Sequence, residues 1–101
     1  MPTPRIQVPG RSVAEFCKRW KIREFALFGS VLREDFSPRS DVDVVVSFDS
    51  GAAWSLLDLA SMQEQLSELF GRPVDLIELE ALRNPYRRAA ILGSKQVVYA
   101  A

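Results

Sequence analysis

Histidine is absent from the sequence, which removes imidazole metal sites and histidine-based acid–base catalysis. Any metal must then be held by oxygen. The single cysteine, Cys17, leaves no internal disulfide, and its place beside Val13, Phe16 and Trp20 at helical spacing assigns it to the core rather than to nucleophilic chemistry. Net charge is missing too, because thirteen basic and thirteen acidic side chains cancel. A protein whose main task is nucleic-acid binding shows a basic face that releases counterions. The nearest thing here is Arg83 with Arg87 and Arg88, a solvated face or a partner contact, so direct nucleic-acid binding and independent polymerase action are not expected. No apolar run is long enough to span a membrane, and Met1-Pro2-Thr3-Pro4-Arg5 lacks an apolar signal core. The expectation is a cytoplasmic protein with no membrane association.

What is present suits a single small domain, since 101 residues support a modest core but no separate substrate-binding domain. Residues 1–9, with three prolines, read as an irregular tail, and residues 10–101 as the domain. Ser12 with Glu15 forms a capping-box pattern that predicts a helix to about Trp20 or Lys21. Ile22 to Phe28 predicts a strand, Gly29-Ser30 a turn into a short helix through about Glu34, and Asp35 to Ser40 a polar loop. Ser55 with Asp58 predicts a second helix, its buried stripe being Leu56, Leu59, Met62, Leu66, Leu69 and Phe70, and Gly71 its end. A strand follows from about Pro73 to Leu79. Asn84 and Pro85 start a last helix that Gly93 stops, and Lys95 to Tyr99 predicts a short strand. The fold class is α/β (α+β), a small mixed sheet flanked by helices.

The chemistry concentrates in two short runs. Along Asp41-Val42-Asp43-Val44-Val45-Val46-Ser47-Phe48 the alternation puts Val42, Val44, Val46 and Phe48 on one strand face and both aspartates on the other. Two carboxylates separated by ~6.6 Å of strand can converge on divalent ions. Upstream, a strand-to-helix turn at Gly29-Ser30 exposes backbone N–H groups and a hydroxyl that can hold triphosphate oxygens, and glycine permits a close approach. Taken singly, a Gly-Ser turn and an Asp-x-Asp edge each read as ordinary structure. In this order and spacing, with Ser40 before the first aspartate, they read as a nucleotide site.

Residues 27–46, from Leu27-Phe28-Gly29-Ser30 through Asp41-Val42-Asp43, resemble the signature of the DNA polymerase β-like nucleotidyltransferase superfamily, and in particular its minimal, stand-alone MNT-type members. A weaker likeness extends to Pro73-Val74-Asp75-Leu76-Ile77 and Asn84-Pro85-Tyr86. The resemblance implies the minimal nucleotidyltransferase fold, ATP as substrate, and two magnesium ions held by Asp41, Asp43 and a third carboxylate, Asp75. Without it, Asp75 would read as a surface residue. It also implies that Gly29, Ser30, Arg33 and Ser40 grip the nucleotide. Many members carry arginine directly after the serine and glycine four residues after it, where this chain has Val31 and Glu34. Small members of this type are often antitoxins, which implies AMP transfer to a tyrosine of a HEPN-type toxin and a hetero-oligomer with it. Two other expectations stand beside that one: a binding-only antitoxin with an idle nucleotide site, and a subunit of a small-molecule nucleotidyltransferase.

Overall fold

A computed structural model describes residues 8–33, 37 and 40–101. Helix α1 (Gly10–Arg19) leads into strand β1 (Ile22–Phe28), a 3-10 turn (Gly29–Leu32) and strand β2 (Val42–Phe48). Helix α2 (Leu56–Phe70), strand β3 (Val74–Glu78), a second 3-10 turn (Leu79–Ala81), helix α3 (Pro85–Ser94) and strand β4 (Gln96–Ala100) complete the chain. The strands form one mixed sheet in the order β3-β2-β1-β4, in which β1 pairs antiparallel with β2 and β4 while β2 and β3 run parallel. The predicted α/β class and small mixed sheet are what is observed.

Alternation along the strands gives the sheet two buried faces. Val42, Val44, Val46 and Phe48 of β2 pack with Phe25 and Leu27 of β1, Val13, Phe16 and Cys17 of α1, and Met62 and Leu66 of α2. On the opposite face Ala26, Phe28 and Val45 pack with Leu79 and Ile91, so α3 covers the side to which Asp43 belongs. The parallel β2–β3 pair is joined by α2, as such pairs require. Helix α2 also guards the sheet edge: Ser67 Oγ accepts from Val74 N at 3.1 Å, and Gln63 Oε1 from Leu76 N at 3.1 Å. Blocking these donors removes a template for strand addition. Among the described residues, no helix is long and apolar enough to cross a membrane.

Several boundaries differ from the sequence expectation. Helix α1 starts at Gly10, with Pro9 at its N-cap and no side-chain cap, so Ser12 and Glu15 form no capping box. Val13, Phe16 and Cys17 place the helix by burial, and the Pro9 carbonyl accepts from Val13 N at 2.9 Å. The turn after β1 is a 3-10 segment that ends at Leu32, with Arg33 already extended; Glu34 lies outside the described residues, as does most of the expected loop from Asp35 to Ser40. Leu56 is 85% exposed rather than buried. It opens α2, and Trp54 instead closes that end of the core, donating Nε1–H to the Trp20 carbonyl at 3.0 Å and packing edge-on against Trp20 and Phe48. Gly93 does not stop α3, because its φ is not in the left-handed region; the helix runs through Ser94 and ends where Lys95 turns extended. The capping box of Ser55 with Asp58, and the left-handed Gly71 that ends α2, are as expected.

Candidate functional site

Asp43 is the second residue of β2 and faces the α3 side. Its pairing positions assemble the site. Across the antiparallel pair it stands opposite Phe28, the residue before the 3-10 turn, and across the parallel pair it stands opposite Asp75. Neighbouring strands lie about 4.8 Å apart, so the Asp43 and Asp75 side chains rise side by side from the same face. The family resemblance named Asp75 as a third carboxylate; read locally it is a surface residue, and the β2–β3 register is what makes it a neighbour.

Asp41 precedes the strand and is exposed, so it flanks the Asp43–Asp75 pair rather than alternating with Asp43 inside one strand. Its carbonyl accepts a 3.4 Å contact from Ser30 Oγ, which ties the 3-10 turn to the start of β2. The backbone N–H of Ser30 donates to the Asp43 carboxylate. Burial first, and then the charges of Asp75 and Asp41, push the Asp43 carboxyl above its ordinary value; the Ser30 N–H and the charge of Arg33 pull the other way. The site is thus an electrostatically loaded carboxylate group that a cation would relieve.

Gly29 serves this arrangement in a way the sequence does not reveal. Its φ is +73°, and a side-chain carbon there would overlap Asp43 Oδ2 and stand 3.2 Å from Asp43 Cγ. The expected reason for glycine was close approach of phosphate; the structure shows that the Asp43 carboxylate itself occupies the space. Ser40 Oγ is turned toward the preceding loop, accepting from Ser37 N at 3.1 Å and lying 3.2 Å from Ser37 Oγ. Arg72 Nη1 donates to the carbonyls of Ser37 at 3.2 Å and Ser40 at 3.4 Å, and Val42 N donates to the Pro73 carbonyl at 3.0 Å. Arg72, which sequence reasoning passed over, and the Pro73 carbonyl therefore bind the segment carrying Asp41 to the strand carrying Asp75. Arg33 is exposed at the end of the 3-10 turn.

Among the described residues, no three carboxylate, cysteine or histidine side chains close into a metal cage. The donor set is nonetheless one that suits a hard divalent cation: every donor is oxygen, two carboxylates are in register, and burial first and then the Asp75 charge raise the Asp43 carboxyl. A cleft of about 400 Å³ adjoins Gly29 and is bounded on its far side by residues 93–96. A groove of about 390 Å³ between α1 and α2, lined by Glu15, Arg19, Gln65 and Glu68 among others, contains none of the aspartates just described.

The profile of the nucleotidyltransferase domain family matches residues 11–98. A candidate protein adenylyltransferase of Methanocaldococcus jannaschii is 35% identical over 74 residues, 73% of this chain and 74% of that protein. The protein adenylyltransferase MntA of Thermococcus cleftensis is 33% identical over 85 residues, 84% of this chain and 81% of that protein. Among solved structures, a candidate minimal nucleotidyltransferase superposes with a TM-score of 0.69 at 32% identity, covering 86% of each chain. A complex of tri-AMPylated Shewanella oneidensis HEPN toxin with its MNT antitoxin superposes with a TM-score of 0.67 at 15% identity, covering 91% of this chain and 70% of that one, a likeness of fold.

Proposed function

Because the chain belongs to the nucleotidyltransferase domain family, we propose that it transfers AMP from ATP to a tyrosine hydroxyl of a HEPN-type ribonuclease toxin and so acts as an antitoxin. The transferring unit is residues 10–101. The observation that carries the reading is the Asp43–Asp75 pair, in register on adjacent parallel strands, with the Ser30 N–H fixing Asp43. The name of the Thermococcus relative and the AMPylated toxin bound to the Shewanella antitoxin support the donor and the partner class.

In this mechanism Asp41, Asp43 and Asp75 would hold magnesium, which supplies Lewis-acid stabilisation of charge on the transferring phosphoryl group and acidifies the attacking hydroxyl. The other tasks fall to the protein. Ser30 Oγ, within 3.4 Å of the Asp41 carbonyl, donates to the departing phosphates, and Arg33 neutralises their charge. Asp75, exposed beside Asp43, takes the tyrosine proton at a carboxylate oxygen. The α-phosphate then bonds to the tyrosine oxygen as its bond to the pyrophosphate oxygen breaks.

A thermal-shift titration tests the donor half of this reading. ATP with magnesium stabilises the protein by about 2.7 kcal/mol at a hundred times its dissociation constant. ATP with excess chelator stabilises it far less. An ATP shift independent of divalent metal would contradict the proposed binding mode.

A further inference from the structure

We propose that Arg72 is a positioning residue for the carboxylate site: it fixes the backbone that presents Asp41, so that Asp41, Asp43 and Asp75 meet a divalent cation together. This deepens the nucleotidyl-transfer reading and rests on it. Asp41 precedes β2, is exposed, and lies outside the registers that pair β2 with its neighbours. Both peptide groups that flank it are instead tied to other elements. On one side Arg72 Nη1 reaches the Ser40 carbonyl at 3.4 Å. On the other, the Asp41 carbonyl accepts a 3.4 Å contact from Ser30 Oγ, and Val42 N donates to the Pro73 carbonyl at 3.0 Å. Arg72 Nη1 also donates to the Ser37 carbonyl at 3.2 Å, the oxygen that accepts from Ser40 N at 3.0 Å. One guanidinium nitrogen thus clamps both ends of the turn that leads into Asp41.

The clamp stands on a fixed mount. Helix α2 ends at Gly71, whose φ of +71° is a helix stop that glycine permits. The N–H groups of Gly71 and Arg72 both donate to the Ser67 carbonyl, at 2.9 and 3.2 Å. Ser67 Oγ accepts from Val74 N at 3.1 Å, so the chain is anchored to the last turn of α2 on either side of Pro73. Asp75 follows directly and enters register with Asp43. Arg72 therefore ties the residue before Asp41 to the segment that delivers Asp75, and the spacing of the carboxylates is set before any cation arrives. Without the guanidinium, the peptide group before Asp41 loses its hold, and the freedom it gains must be given up again when a cation binds. Removing a group that orients metal ligands in this way costs about tenfold or more in affinity.

Arg72→Ala removes both contacts. Arg72→Lys keeps the cation on a side chain one bond shorter, and carries the test alone should alanine impair folding, which circular dichroism checks. Each is made in the parent and in Asp41→Asn, which leaves Asp43 and Asp75 to bind. Manganous ion alone is titrated into every protein, and binding is read from the loss of the free ion's paramagnetic resonance signal. The expected result in the parent background is a loss of about tenfold in manganese affinity for either substitution of Arg72. In the Asp41→Asn background the same substitutions change affinity by less than about twofold, because the two residues act as a unit. Three results overturn the positioning role alone: unchanged affinity in the parent background, an equal loss in both backgrounds, or a loss with alanine that lysine restores in full. The first shows the clamp idle, the second a general loosening of the fold, and the third a charge acting through space. A parent chain that binds no manganese overturns divalent binding at the carboxylates, and the positioning role with it.

Discussion

Asp43 shows how a single residue can be placed for chemistry at the expense of stability. Burial and two neighbouring carboxylates raise its carboxyl above the ordinary 3.8, so folding disfavours its ionised form. The stability linked to such a group is fully present below the unfolded value and is lost as pH rises through the folded one. Asp43→Asn, which keeps an oxygen to accept from Ser30 N–H, should therefore raise the melting temperature at pH 7 in chelator. Acidification below the ordinary carboxyl value should erase the gain. Calorimetry of both proteins across pH checks this, and a gain that persists in acid would deny its electrostatic origin. Gly29→Ala should act in the opposite sense. Its left-handed φ and its overlap with Asp43 Oδ2 predict a loss of about 1–3 kcal/mol, together with loss of AMP transfer, because the proposed mechanism puts the displaced carboxylate at the reacting atoms. Denaturant titration beside a transfer assay would show both losses; a stable, active Gly29→Ala protein would refute the packing account of this glycine.

At the scale of elements, burial decided where the sequence signals competed. Helix α1 ignores the Ser12–Glu15 pattern because Val13, Phe16 and Cys17 must face the sheet, while the Ser55–Asp58 box, with no such conflict, forms as written. Strand assignments were legible because β1 and β2 are dense in β-branched and aromatic residues with clear alternation. The ends of α2 and α3 were less so: exposure of Leu56 depends on Trp54 closing the core, and the helical path through Gly93 depends on β4 pairing with β1 immediately afterwards. Cys17 tests the packing of α1. Burial pushes its thiol up to about 12, so a charged disulfide reagent should leave the native protein unlabelled and react only as urea unfolds it. Rapid labelling in native buffer would mean that α1 opens away from the sheet.

For the whole molecule, the family was readable from residues 27–46, yet the candidate site is a product of topology. Three separated segments meet because β2 pairs with β1 on one side and with β3 on the other. Local sequence contains Gly29, Ser30, Asp41 and Asp43, but only the parallel register brings Asp75 beside Asp43, and only the antiparallel register brings Gly29 beneath it. Arg72 escaped notice for the same reason, since its partners are carbonyls more than thirty residues away. In the proposed function, this assembly moves AMP onto a partner protein. Its most direct test is intact-mass spectrometry of a HEPN-type toxin incubated with this chain, ATP and magnesium, with Asp43→Asn run in parallel. The predicted result is a toxin heavier by whole AMP units, inactive after this chain is removed, and unmodified when Asp43→Asn replaces it. A toxin silenced by the parent chain with no change in mass, and active again once separated, would contradict transfer and leave a binding-only antitoxin.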